Sequence, residues 1–165
     1  MIGMNLATFT LLHVLISLVG IAAGLVAMIG LLKSNLLRAF TGLFLATTIL
    51  TSVTGFLFPF AKLLPSHIVG ILSIVTLAVA AFALYAKHLS GVWRLIYVIT
   101  AMVSLYLNVF VVIVRSFLKI EPLRALAPTQ TEPAFLAAQG AALLLFVAIT
   151  ILATMRFRPM QLSAA

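Results

Sequence analysis

The sequence has no cysteine, only two acidic residues, and charged residues at just 7% of its 165 positions. Without cysteine there can be no disulfide and no thiolate metal site, and cysteine usage gives no information on the redox compartment. Soluble domains of this length carry about a quarter charged residues, so the chain does not belong to that class. Both glutamates lie outside the apolar runs, which excludes a site built on paired carboxylates within them.

Apolar residues make up 65% of the chain, and the mean hydropathy is +1.34. They form long runs at about residues 6–32, 36–58, 66–86, 93–118 and 134–155. Apolar runs of about 18 residues or more are typical of transmembrane helices. We therefore predict an all-α, polytopic transmembrane helical bundle with five spans, a single domain over residues 1–165, and an outer loop at 119–133. The alternative count is four spans, with one run lying in the membrane interface.

The net charge of +8 would suggest a nucleic-acid partner in a soluble protein. Here the basic residues stand singly at the ends of apolar runs, as anchors at anionic headgroups do. This distribution predicts the lipid bilayer as the partner and argues against nucleic acid. Other membrane proteins and further copies of this chain stay open as partners.

Basic residues also predict an orientation. With five spans, one side of the membrane holds six basic residues and the other holds four: Lys33, Arg38, Lys87, Arg94, Arg156 and Arg158 against Lys62, Arg115, Lys119 and Arg124. The side richer in Lys and Arg is normally cytoplasmic. The first run is too long for the apolar region of a cleaved signal peptide, so we expect it to be retained. We predict an N-terminus outside and a cytoplasmic C-terminus.

The fourth run carries a polar stripe. At about 100° per residue, five polar side chains fall within a sector of roughly 80°: Tyr97, Thr100, Ser104, Asn108 and Arg115. An intramembrane Asn or Arg is costly against lipid, so this stripe is expected to face other helices or a wet cavity. Arg115 lies near the end of its run and can extend to the headgroups. Asn108 is too deep and too short to do so and needs a partner inside the protein.

Polar positions in the outer half of the bundle define a candidate ligand-binding site that opens outward beneath the 119–133 loop. Its residues are His13, Thr51, Thr54, Asn108, Arg115 and Gln139. A quinone or a lipid would need hydrogen-bond donors beside apolar walls, which these residues supply. The alternative is that they only satisfy one another between helices, at about 0.6 kcal/mol per pair. The candidate partners of Asn108 are His13, Ser17, Thr51 and Thr54.

The loop itself is expected to fold back over the outer end of the bundle. Glu121 and Pro122 favour a short amphipathic turn, with Leu123 and Leu126 facing the bundle. The prolines at 122, 128 and 133 reduce its conformational freedom. Its glutamates are expected to pair with nearby basic side chains: Lys119, Arg124 and Arg115.

The histidines do not favour a bis-histidine haem. Two axial ligands must reach one iron from opposite faces at one depth, whereas His13, His67 and His88 are predicted at three different depths. Haem ligation by His13 alone stays open. No other cofactor and no metal site is predicted, and no nucleophile, base and orienting group occur together. The sequence does not predict an enzyme.

Three segments resemble a group of small, uncharacterised bacterial integral membrane proteins: TSVTGFLFPF at 51–60, LYLNVFV at 105–111 and LAPTQTEPAF at 126–135. The resemblance covers most of the chain. It implies a bacterial cytoplasmic (inner) membrane, and it implies no activity, cofactor or site.

Three functions follow as hypotheses. A structural or accessory component of a membrane complex is favoured, because neither soluble domains nor paired intramembrane acids are found. The alternative is a binder of a lipophilic molecule, quinone or lipid, in the outward-opening pocket. The third is a small transporter, although coupling to protons or cations would normally require an intramembrane acid.

Overall fold

The computed structural model describes residues 5–58 and 65–158. All regular secondary structure within these residues is helical: α1 (Leu6–Leu32), α2 (Arg38–Gly55), α3 (Pro65–Ala81) with a π-helical turn at Phe82–Ala86, α4 (Trp93–Lys119), α5 (Glu121–Leu126) and α6 (Pro133–Arg156). The predicted all-α helical bundle is confirmed. The helix bounds lie close to the predicted runs. The largest difference is in α2, which ends at Gly55 instead of 58, where glycine weakens the helix.

Four of the five long helices are long and apolar enough to cross a membrane, which is compatible with an integral membrane protein. These are α1, the segment Ile68–Ala86, α4 and α6. Helix α2 is not among them. Six of its 18 residues carry hydroxyl groups and its first residue is Arg38, which lowers its hydropathy.

Consecutive long helices pack antiparallel, so the connections gather at two ends of the bundle. Contacts between α1 and α2 run from His13 with Thr54 at one end to Gly30 with Leu37 at the other. We call one end the turn end, formed by residues 33–37, 87–92 and 156–158. The other is the α5 end, which contains Asn5, the C-terminal end of α2 and residues 119–132.

Helix α4 is the centre of the bundle. It packs against α1, α3, α5 and α6 and contributes large buried side chains, among them Tyr97, Met102 and Leu105. Three members of the predicted polar stripe are buried: Tyr97, Ser104 and Asn108. Thr100 is half-buried and Arg115 is exposed. The period of the stripe thus identifies the inward face correctly, and the exposed member is the one predicted to reach the headgroups.

Two glycines allow α1 to approach its neighbours closely. A Cβ atom on Gly24 would lie 2.6 Å from Leu105 Cδ1 and 2.8 Å from Phe44 Cδ2, both on buried side chains. On Gly20 it would lie 2.9 Å from Thr47 Oγ1. The Gly20–Gly24 pair therefore marks the line where α1 meets α2 and α4, as small residues four apart do in membranes.

The connection between α4 and α6 folds back against the bundle, as expected. Leu123 of α5 packs against a small cluster formed by Phe117, Ala127 and Phe135. The Gln130 side-chain amide donates to the Val114 carbonyl oxygen at 2.9 Å. The prediction for Leu126 is wrong, because this side chain is 60% exposed. Helix α5 ends at Leu126, and Ala127 takes the inward position instead.

The predicted ion pairs of the glutamates do not form within residues 5–58 and 65–158. The Glu132 carboxylate instead accepts hydrogen bonds from the Thr129 backbone N–H at 3.0 Å, the Thr129 hydroxyl at 2.8 Å and the Thr131 N–H at 3.0 Å. These donors lie within three residues of the carboxylate. Fewer side-chain rotamers are therefore frozen than in a pair with a long basic side chain.

The local hydrogen bonds of Glu132 predict a pH dependence. Desolvation raises the pKa of Glu132, but the hydrogen bonds from Thr129 and Thr131 outweigh it and hold the pKa below its usual range. A carboxyl with a depressed pKa contributes stability above its unfolded pKa, and this is lost as the pH falls through the folded value. We expect the melting temperature to fall between about pH 6 and about pH 3, and Glu132→Gln to abolish part of that fall. Glu121→Gln, which removes the other carboxyl of the same loop, is the control. Identical profiles for the two variants would contradict this account.

Candidate functional site

The six residues predicted to form an outward-opening site lie in the half of the bundle towards the α5 end. Two of them meet directly: His13 Nδ1 and Thr54 Oγ1 are 2.8 Å apart. The Thr54 hydroxyl donates to the Leu50 carbonyl at 2.7 Å, so its oxygen is free to accept a hydrogen bond from His13 Nδ1–H. The edge of the half-buried imidazole faces Phe58, with ring centroids 5.2 Å apart.

The other members have separate partners. Thr51 donates to the Thr47 carbonyl of its own helix at 2.9 Å. The Asn108 amide donates to the Thr48 hydroxyl at 3.1 Å. The predicted partners His13, Ser17, Thr51 and Thr54 are therefore wrong for Asn108, although α2 is one of the predicted helices. Thr48 is fully buried and lies where Gly20 brings α2 close to α1. Its hydroxyl therefore faces the interior of the bundle, where Asn108 can reach it.

Gln139 differs from the other polar side chains in the bundle. Its Nε2 donates to the Phe110 carbonyl at 3.3 Å, while its Oε1 is buried and has no hydrogen-bond partner among the described residues. Arg115, near the end of α4, is exposed. The structure thus brings His13 and Thr54 into contact, and Thr51 adjoins them, since the Thr54 hydroxyl lies 3.1 Å from the Thr51 carbonyl oxygen. Asn108 and Gln139 have other partners, and ligand binding by the six stays a prediction.

Two further hydroxyl pairs join helices in the same way. Ser52 donates to Ser73 at 3.2 Å between α2 and α3, and the hydroxyls of Thr76 and Ser104 are 2.8 Å apart between α3 and α4. With the Asn108–Thr48 bond they link α4, α2 and α3. This arrangement is typical of polar side chains that hold membrane helices together.

Among the described residues, no group of three or more His, Cys, Asp or Glu side chains could hold a metal ion. His13 lies towards the α5 end and His88 at the turn end. The side chain of His67 is outside the part of the chain that the structure describes. Haem ligation by His13 alone stays a prediction.

A cavity of about 1320 Å³ lies at the turn end, far from the predicted site. We call it the basic basin and define it by four lining residues, Arg38, Arg94, Arg158 and His88. The two turns that form it contain three non-glycine residues with left-handed backbones: Ser34 (φ 56°), His88 (φ 49°) and Leu89 (φ 58°). L-residues rarely adopt this conformation, at a cost of roughly 1–2 kcal/mol each, so packing around the basin imposes the shape of these turns.

From the sequence alone, these arginines are predicted to be separate membrane anchors. The count of basic residues predicts that they share one side of the membrane. What sequence alone did not indicate is how Arg158 reaches the first turn. The Ser34 hydroxyl donates to the Arg158 carbonyl at 2.9 Å and accepts from the Arg158 N–H at 2.8 Å, across 124 residues of sequence.

The fold and these contacts define a class, an α-helical bundle with four helices able to cross a membrane. No protein-family model, curated protein or solved structure matches the chain significantly.

The Asn108–Thr48 bond allows a test of whether the polar stripe only joins helices or forms a ligand site. If it only joins helices, Asn108→Leu should cost about 1 kcal/mol of unfolding free energy. A double-mutant cycle with Thr48→Val should then give a coupling near 0.6 kcal/mol. Thr150→Val is the control and should show no coupling, since within residues 5–58 and 65–158 Thr150 bonds only to Phe146 of its own helix. Release of a co-purifying quinone or lipid by a folded Asn108→Leu variant would instead indicate a ligand site.

Proposed function

We propose that the protein is a structural or accessory component of a membrane complex, held by five spans in a bacterial cytoplasmic membrane. The observation that carries the proposal is the outward face of α6. Only 11% of the apolar window of α6 is buried in the bundle, against 44% for α4. Three exposed alanines, Ala137, Ala141 and Ala148, lie on that outward face. Small residues four apart allow transmembrane helices to approach closely, so this face suits a helix of another subunit or a second copy.

The five-span count rests on how α2 packs. Helix α2 lies along α1 from Thr54 beside His13 to Leu37 beside Gly30, so the two helices share the same depth. The hydroxyl groups of α2 also cost less free energy in lipid than its hydropathy suggests. Thr47, Thr51 and Thr54 donate to carbonyls of their own helix, which removes unpaired donors from the apolar region.

With five spans, the turn end is the cytoplasmic end. The six-to-four distribution of basic residues supports this, together with the two basic residues, Lys33 and Arg38, that follow α1. Alkaline phosphatase fused after residue 165 should be inactive, and a fluorescent protein fused there should fold and emit. Active phosphatase at that position would reverse the orientation.

A photo-crosslinking experiment tests the α6 face. A diazirine amino acid is incorporated at position 141 or 148, with position 78 as the control. Ala78 is also exposed, but it lies on α3. Irradiation of native membranes should give a discrete protein adduct at 141 and 148, but only lipid adducts at 78. An adduct of twice the chain mass indicates a homo-oligomer, and one of another mass indicates a different subunit. Lipid adducts alone at all three positions would overturn the proposal.

Binding of a lipophilic molecule is the second candidate. It is favoured by Gln139 Oε1, a buried acceptor that finds no donor in the part of the chain that the structure describes, because such groups normally have a partner. The hydroxyl of a quinol or a lipid headgroup could supply that donor. Mass spectrometry of the protein purified in mild detergent tests the idea. Gln139→Leu should release the bound molecule, and unchanged bound molecules would remove this candidate.

A further inference from the structure

We propose that the basic basin binds the phosphate group of an anionic phospholipid headgroup. The basin is distinct from the α6 face and from the predicted outer pocket. Its charge, the contacts of its arginines and its place at the ends of the apolar helices all favour an anionic headgroup.

Within the described residues, no acidic side chain balances the charge of the basin. Arg38, Arg94 and Arg158 line it, and no acidic side chain does. Both acids of the chain, Glu121 and Glu132, belong to the loop at the opposite end. Three guanidinium groups around one cavity repel each other unless an anion joins them. Arg is the side chain best suited to a phosphate because its fork donates two parallel hydrogen bonds.

Two of the three arginines are fixed in place by other parts of the bundle. Arg94 Nη1 donates to the Thr154 and Phe157 carbonyl oxygens, at the end of α6. The side chain is thereby held, while its other N–H groups stay available. The backbone of Arg158 is held by the Ser34 hydroxyl. A site with pre-positioned donors loses less entropy on binding than one built from free surface side chains.

Two helix N-termini add to the positive potential. Helices α2 and α4 both begin at the turn end, after Leu37 and Val92, and neither has a side-chain cap. Arg38 and Arg94, in the first turns of these helices, line the basin. The positive dipole end of each helix favours a nearby anion. At α4 the Trp93 and Leu95 N–H groups already donate to the Ser90 and Val92 carbonyls, so there the dipole and Arg94 provide the attraction.

The place of the basin favours a lipid as the source of the phosphate. It lies where the apolar helices end, and leucine side chains (Leu36, Leu84 and Leu89) line it beside the arginines. Tyr85, also in the lining, is 60% exposed. Basic pockets between transmembrane helices on the cytoplasmic side bind anionic headgroups in this way. At about 1320 Å³, the basin is also larger than a lone phosphate requires.

The experiment measures lipid binding to the delipidated, purified full chain by native mass spectrometry. The probes are phosphatidylglycerol, cardiolipin and phosphatidylcholine in the same detergent. The test variant is Arg38→Gln with Arg158→Gln, since neither side chain makes a hydrogen bond within the described residues. The control is Lys119→Gln with Arg124→Gln, which removes the same charge at the α5 end. Arg94 is left intact because it caps α6.

We expect the wild type to bind phosphatidylglycerol and cardiolipin at least tenfold more tightly than phosphatidylcholine. The test variant should lose this preference and the control should keep it. Ser34→Ala, which releases the Arg158 backbone, should weaken the preference, and Lys at 38 and 158 should restore part of it. If the double variant does not fold, Arg38→Gln alone takes its place.

Two results would overturn the proposal. One is an equal loss of binding in the test variant and the control, which would mean that only net charge matters. The other is no preference for anionic lipid in the wild type. Displacement of the lipid by millimolar inorganic phosphate or pyrophosphate would keep the phosphate chemistry but assign the site to a soluble anion.

Discussion

Phe157→Ala is expected to lower the free energy of unfolding by about 3 kcal/mol, the lower part of the range for buried phenylalanine. The side chain is fully buried although it follows the last helix turn of α6. Its ring packs against Tyr97 of the central helix, with centroids 6.3 Å apart, and its carbonyl oxygen accepts from Arg94. Truncation would leave a cavity between α4 and α6 and loosen the cap of α6.

Phe40→Ala is the matched control. Phe40 lies in α2 near the same end of the bundle, and its side chain is 44% exposed. Its truncation should cost well under half as much, because few contacts with the bundle are lost. Unfolding of the purified protein by a denaturing detergent, followed by circular dichroism, measures both variants. Equal losses of stability would show that Phe157 does not anchor the end of α6.

Gly24→Ala is expected to destabilise the bundle by about 1–3 kcal/mol, the usual cost of overpacking a well-filled core. The new methyl group would overlap Leu105 of α4 and Phe44 of α2, at 2.6 and 2.8 Å. Both side chains are almost fully buried and lack room to move aside. Because van der Waals packing holds membrane helices together, separating α1 from two neighbours should reduce stability directly.

Gly42→Ala should have the opposite sign. A Cβ on Gly42 would meet only the Tyr85 hydroxyl, at 3.9 Å, which is ordinary contact. Alanine in a helix interior is more favourable than glycine by about 0.5–1 kcal/mol, so this variant should be slightly stabilised. The same unfolding assay compares the pair. A neutral Gly24→Ala would indicate that the contact between α1, α2 and α4 is looser than the distances imply.

The helices themselves could be predicted from the sequence because their apolar runs are long and punctuated. Proline and polar residues interrupt the runs, and the observed helices follow them closely. The number of spans was harder, since α2 combines Arg38 with six hydroxyl residues. A hydropathy scale counts each hydroxyl as unfavourable in lipid. In the formed helix, however, the hydroxyls of Thr47, Thr51 and Thr54 donate to backbone carbonyls, and a sequence-based hydropathy does not include these bonds.

The contacts of individual polar residues could be predicted only in part. Periodicity indicated that Asn108 faces inward and needs a partner on another helix. That this partner is Thr48 depends on the axial position of α2 relative to α1. The close packing at Gly20 and Gly24 fixes that position. The basic basin was beyond pattern analysis for a similar reason. Its shape depends on left-handed residues in two turns and on a bond between positions 34 and 158.

The close pairing of α1 with α2 also has a consequence for biogenesis. Helix α2 is the least apolar of the five long helices, and an arginine at its start opposes its partitioning from the translocon into lipid. Helix α1, with no charged residue, has no such difficulty. The turn between them is short and closed by bonds from Lys33 and Asn35 to Gly30. In the five-span arrangement proposed above, the two helices are therefore suited to enter the bilayer together as a hairpin, in which α1 favours the insertion of α2.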